Sequence, residues 1–186
     1  MNTKIRNMVG VGLFSAIVVV LQLVFGSFKV GGVFSINPVL VPVVVGAAVY
    51  GWQAGAWLGM VSGLTILLSG EAAFFMGFSV GGTIVTVLVK GAACGVAAGL
   101  VYSFFRKYNQ TLAVVLSSVA CPVVNTGIFL LGCWVFFLED LTKMAGGAQV
   151  FGFILTAFVG LNFFIELGIN VVLSPVVLRL IKIGRK

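Results

Sequence analysis

Apolar residues run along this chain in long blocks, interrupted by short breaks that are polar or rich in glycine. The blocks cover 8–28, 38–50, 54–68, 82–104, 112–138 and about 150–180. They are far longer than the ~10-residue alternating segments of an outer-membrane barrel, so helices are expected. The first block is apolar for about 20 residues and has no small-residue cleavage site, so it is expected to stay as a membrane helix rather than leave as a signal peptide. At about 13 residues, the 38–50 block is short for a full crossing, which takes ~17–25; it is expected to tilt, extend into the preceding loop, or dip. Gly51-Trp52-Gln53 separates it from the third block as a tight turn. The Gly-rich segment 29–37 is placed as a hairpin at the membrane surface. Segment 69–81 is an irregular connection with Glu71 and several aromatics, and 139–149 is a polar one.

Composition fixes the class. Hydrophobic residues make up 61% of the 186 positions and charged residues 8%, with a mean hydropathy of +1.24; that leaves too little polar surface to coat a soluble globule. The pattern predicts an all-α integral membrane protein, one transmembrane domain over 1–186, with six transmembrane helices. Charge supplies an orientation. Eight of the eleven Lys and Arg residues fall in 2–6, 106–107 and 179–186, which places these segments and both termini on the cytoplasmic side. The net charge of +7 is then an orientation signal and an attraction to anionic headgroups, with no nucleic acid implied.

One charge breaks the pattern. Lys90 lies about eight residues into the 82–104 block, on the order of 12 Å inside the hydrocarbon edge. A lysine there costs about 2.5–3.5 kcal/mol on insertion scales, so a partner, a wet cavity or a ligand is expected beside it. Thr86 and Thr83, one and two turns earlier, share its face. Asn162, Glu166 and Asn170 form a stripe at i, i+4, i+8 in the last block, and Asn125 and Thr126 follow Pro122 in the fifth. Polar groups from three helices are thus expected to converge on an outward-opening site for an anionic solute. Two plainer readings compete: Lys90 snorkels outward, or it pairs with Glu166 as a structural bridge. The amides also serve as glue between helices, at ~0.6 kcal/mol per bond on average.

Small residues make a second pattern. Gly55, Gly59 and Gly63 recur every four residues, as do Gly91, Gly95 and Gly99, and these ladders predict close internal helix packing. Gly12 and Ala16 form a shorter version on the first helix. The three cysteines lie in apolar blocks and there is no histidine, so neither a disulfide framework nor a zinc site is expected, and no cofactor is implied. No phosphate-binding loop or catalytic set is present, which argues against an enzyme.

The segment PVLVPVVVGAAVYGWQAGAWLG at 38–59 and the run CPVVNTG at 121–127, with a basic N-terminus and the Gly12-x-x-x-Ala16 patch, resemble the substrate-binding S components of energy-coupling factor (ECF) vitamin transporters. The likeness runs over essentially the whole chain and is greatest to the pantothenate-type branch. It implies a multi-pass protein of the bacterial plasma membrane that captures a water-soluble vitamin from outside. It also implies docking, through Gly12 and Ala16, on an EcfT-type transmembrane coupling subunit that works with two cytosolic ATPase subunits. The family's helix-1 motif is usually Ala-x-x-x-Ala, and here Gly12 stands in the first position. On this resemblance Lys90 would pair with a carboxylate, Asn125 and Asn162 would meet amide or hydroxyl groups, and Phe34 and Asn37 would belong to a lid. Pantothenate is the best match. Niacin, folate, or a neutral or cationic vitamin held through Glu166 stay open, as do a membrane scaffold without a ligand and a standalone carrier.

Overall fold

The computed structural model describes residues 3–26, 29–30, 34–35, 38–144, 152 and 160–184. Of these, the side chains of 3, 29–30, 34–35, 161–162 and 183–184 fall outside the description. The described elements are α1 (Thr3–Gly26), a two-residue antiparallel pair β1 (Lys29–Val30) and β2 (Phe34–Ser35), α2 (Leu40–Tyr50), α3 (Trp52–Leu68), α4 (Ala73–Met76), α5 (Val80–Phe105), α6 (Gln110–Phe136), α7 (Leu138–Met144), α8 (Gly160–Val172) and α9 (Ser174–Gly184). The hairpin expected in 29–37 is present as the β1–β2 pair, with Lys29 opposite Ser35.

Among the described residues three helices, α1, α5 and α6, are long and apolar enough to cross a membrane, and a fourth crossing results if α8 and α9 count as one span. The sixth block was expected as one continuous helix, but α8 and α9 meet at 46° around Leu173. Pro175, the second residue of α9, has no N–H to give the preceding turn, and its fixed φ suits a helix start better than a helix interior. In the polar segment 139–149, the described residues 139–144 are helical, as part of α7, with Lys143 donating to Glu139 at 3.0 Å across one turn.

At 11 residues, α2 extends only ~16 Å, well under a hydrocarbon thickness. It needs no lipid-facing length, because nearly all of it is buried: α1, α3, α5, α6 and α9 all pack against it. Gly51 separates it from α3 with φ +99°, a conformation that L side chains rarely adopt, and this permits the abrupt change of direction. Gly70, at φ +79°, does the same after α3 and turns the chain back toward the bundle.

The expected glycine ladders face each other. A methyl group on Gly59 would overlap the carbonyl oxygen of Gly91, one on Gly55 would overlap that of Gly95, and one on Gly63 would sit 3.0 Å from the oxygen of Val87. Backbones this close gain dispersion contact along their whole length without any side chain having to order. The close α3–α5 packing fixes which way the neighbouring face of α5 points.

Candidate functional site

On the neighbouring face of α5, Thr83, Thr86, Val87 and Lys90 line a cavity of about 200 Å³. Ser79 caps the start of α5 by accepting the Gly82 N–H at 3.2 Å, which sets the helix's first turn. Thr83 and Thr86 then differ in their use. The Thr83 hydroxyl donates to the Ser79 carbonyl at 2.7 Å, whereas the Thr86 hydroxyl, only 4% exposed, has no hydrogen-bond partner among the described residues. Gly132 on α6 makes room for Thr86, since a methyl group there would overlap the threonine side chain.

Lys90 is half-buried, and its Nζ stands 5.5 Å from the centre of the Phe129 ring, within cation–π range. Among the described residues it forms no ion pair, and the ion pairs present are those of Lys143 with Glu139 and Asp140. Glu166 lines the same cavity and is half-buried, yet does not close on Lys90. Asn125 and Thr126 from α6 add an amide and a hydroxyl to the wall, each half-buried.

The structure therefore brings Lys90, Thr86, Asn125 and Glu166 to one cavity. Asn170 departs from the expected stripe: it is buried and its amide donates to the Glu166 backbone carbonyl at 2.9 Å. That bond satisfies a polar group inside the helix itself. The side chains of Asn162 and Phe34, and all of Asn37, lie outside the described residues.

Several lining residues carried no functional assignment from sequence. Gln22, Ser62 and Glu71 form a hydrogen-bonded chain: the Gln22 amide donates to Glu71 Oε1 at 2.8 Å, and the Ser62 hydroxyl donates to Gln22 Oε1 at 3.1 Å. Phe75, Phe129, Phe137 and Phe163 supply apolar wall. Phe75, on α4, packs edge-on to Phe129 with ring centres 5.4 Å apart and tilts against Phe137 at 5.3 Å, so the α3–α5 connection is held over one end of the cavity. One cation, two carboxylates, amides, hydroxyls and aromatic faces around a small space suit the capture of a small polar solute; no nucleophile–base pair is arranged among these groups.

Gly12 and Ala16 lie elsewhere, exposed on the outward face of α1, and a methyl group on Gly12 would meet nothing within 4 Å. Leu13 and Ile17 beside them are exposed as well. The inner face of α1 is carried by Phe14, Val18 and Gln22, with Phe14 edge-on to Tyr50 at 6.1 Å.

Compared with known proteins, residues 6–178 match the family model described as ECF transporter, substrate-specific component. Among curated proteins and solved structures, none matches.

Proposed function

Because the chain belongs to the family of ECF transporter substrate-specific components, we propose that its cavity binds a small water-soluble vitamin bearing a carboxylate, with pantothenate the best candidate, and that Lys90 is the anchor for that carboxylate. The observation that carries this reading is Lys90 itself: a half-buried cation without an ion-pair partner among the described residues, beside a Thr86 hydroxyl that likewise has no protein partner. A solute carboxylate offsets the cost of placing the cation in the membrane and accepts hydrogen bonds from both groups. Asn125, Thr126 and Glu166 are positioned on the same wall for the solute's amide or hydroxyl groups, with Asn162 a further candidate on the helix of Glu166. A cavity of about 200 Å³ lies below the usual ~300–1,000 Å³ range, which favours pantothenate or nicotinate over folate.

In this reading six apolar helical segments, α1, α2, α3, α5, α6 and the α8–α9 pair, make up a bundle in the bacterial plasma membrane with both termini cytoplasmic. The cavity opens outward and the 29–37 segment, with Phe34 and Asn37, covers it. The Gly12–Ala16 face of α1 docks on the transmembrane coupling subunit, and ATP is hydrolysed by two separate cytosolic subunits. Calorimetric titration of the purified protein with pantothenate, nicotinate and folate tests the assignment. Tight binding of pantothenate alone is the expected result, and preference for another solute would replace it. Failure to bind any carboxylate would remove Lys90 from the role of anchor.

A further inference from the structure

Glu71 gives the cavity a second polar pole. It lies at the end of the bundle where α1 and α3 finish and α5 begins. Ser69, just after α3, shares its hydroxyl proton between Glu71 Oε1 at 3.1 Å and the Ile66 carbonyl at 3.2 Å, and a methyl group on Gly26, the last residue of α1, would overlap the carboxylate. Lys90 lies ten residues into α5, roughly 15 Å of helix rise from that end. The two charges form no ion pair, and the cavity wall they share includes Thr83, Thr86, Phe75 and Phe129.

Glu71 is held in place rather than merely present. Its Oε1 accepts from both Gln22 and Ser69, whereas Oε2 accepts from no protein group among the described residues. Gln22 is the one amide in the 8–26 stretch and is 0% exposed, and its own oxygen is held by Ser62. Residues of α1, α3 and the following connection thus orient a single carboxylate that also lines the cavity. Joining the helices would not require that carboxylate to border the space at all.

We propose that Glu71 is the cavity's acceptor for a substrate donor, so that the site selects solutes carrying both a carboxylate for Lys90 and a hydroxyl or ammonium group for Glu71. This rests on the reading of Lys90 as the carboxylate anchor. Gln22 is then a positioning residue, fixing which oxygen of Glu71 the solute meets.

Matched pairs of acids titrated into the purified full-length protein test it: pantothenate against N-(3,3-dimethylbutanoyl)-β-alanine, which lacks only the hydroxyls, and 4-aminobutyrate against butyrate. In at least one pair the donor-bearing member should bind about tenfold tighter, the scale of one charge-assisted hydrogen bond. Glu71→Gln, which keeps the side chain's shape, should erase most of that preference while leaving the affinity for the donor-free member unchanged. Equal binding within both pairs, or an equal loss for both members in Glu71→Gln, would overturn the proposal while leaving the Lys90 anchor standing. Binding of none of the four acids would overturn this proposal, and the anchor falls with it where nicotinate and folate are refused as well. Should Glu71→Gln fail to fold, Gln22→Ala should weaken the preference in the same direction, and an unchanged preference there counts against it.

Discussion

Lys90 and Gly91 are neighbours on α5, yet they belong to opposite kinds of surface. Gly91, with Gly95 and Gly99, meets the backbone of α3 at distances that leave no room for a methyl group. Lys90, with Thr86, borders a cavity; the amine has the Phe129 ring beside it but no ion pair, and the Thr86 hydroxyl no hydrogen-bond partner, among the described residues. One face of the helix is closed against a neighbouring backbone, and the other borders open space, where the proposed solute would bind. The first makes the second possible, because a helix locked by backbone contact can hold a costly polar group at a fixed place.

Substitutions at these two faces should separate stability from binding. The largest effect is expected for Gly91→Leu, where the side chain must displace the Gly59 carbonyl; overpacking costs typically ~1–3 kcal/mol, and a backbone obstacle puts this case at the upper end or beyond. Thermal unfolding in detergent and the yield of monodisperse protein check it. Lys90→Ala should leave the unfolding temperature near that of the parent and weaken binding of an anionic solute by about 1.5–3 kcal/mol, roughly 10- to 150-fold. Thr86→Val should cost about 1 kcal/mol of binding, near fivefold, because the neutral hydroxyl contributes one ordinary hydrogen bond. Gly12→Leu sharpens the contrast among glycines: with open space around it, folding and solute binding should not change, while uptake by the assembled transporter should fall if α1 is the docking face. The smallest effect is expected at the exposed Lys143–Glu139 pair. There Lys143 holds the Glu139 carboxyl below its usual range, a contribution present above the unfolded carboxylate's pKa and lost as pH falls through the lowered folded value. Lys143→Ala should leave unfolding temperatures unchanged within error at neutral and mildly acidic pH.

The packing face was legible in the sequence because backbone approach leaves a periodic mark: glycine every four residues on two helices is written directly into the chain. Lys90, Thr86, Asn125 and Glu166 were legible for a related reason, since each is a polar interruption in an apolar block. Gln22 interrupts its block in the same way and was open to the same reading. Glu71 carries no such signal; in a connecting segment a carboxylate looks ordinary, and only the turn at Gly70 and the Gln22 and Ser69 bonds bring it to the cavity. The wall phenylalanines are hidden among 17 in the chain, most of which suit lipid equally well. The bend at Leu173 had its mark in Ser174-Pro175, a helix-start pair inside an apolar run whose continuity dominated the reading.

The most direct measurement is mass spectrometry of the small molecules released from the purified protein, run in parallel on the parent chain and on Lys90→Ala. The expected result is a carboxylate-bearing vitamin, pantothenate first among the candidates, recovered from the parent and lost from the variant while both remain folded. Recovery of a neutral or cationic solute, or of the same acid in equal amount from Lys90→Ala, would contradict the assignment of Lys90 as the anchor.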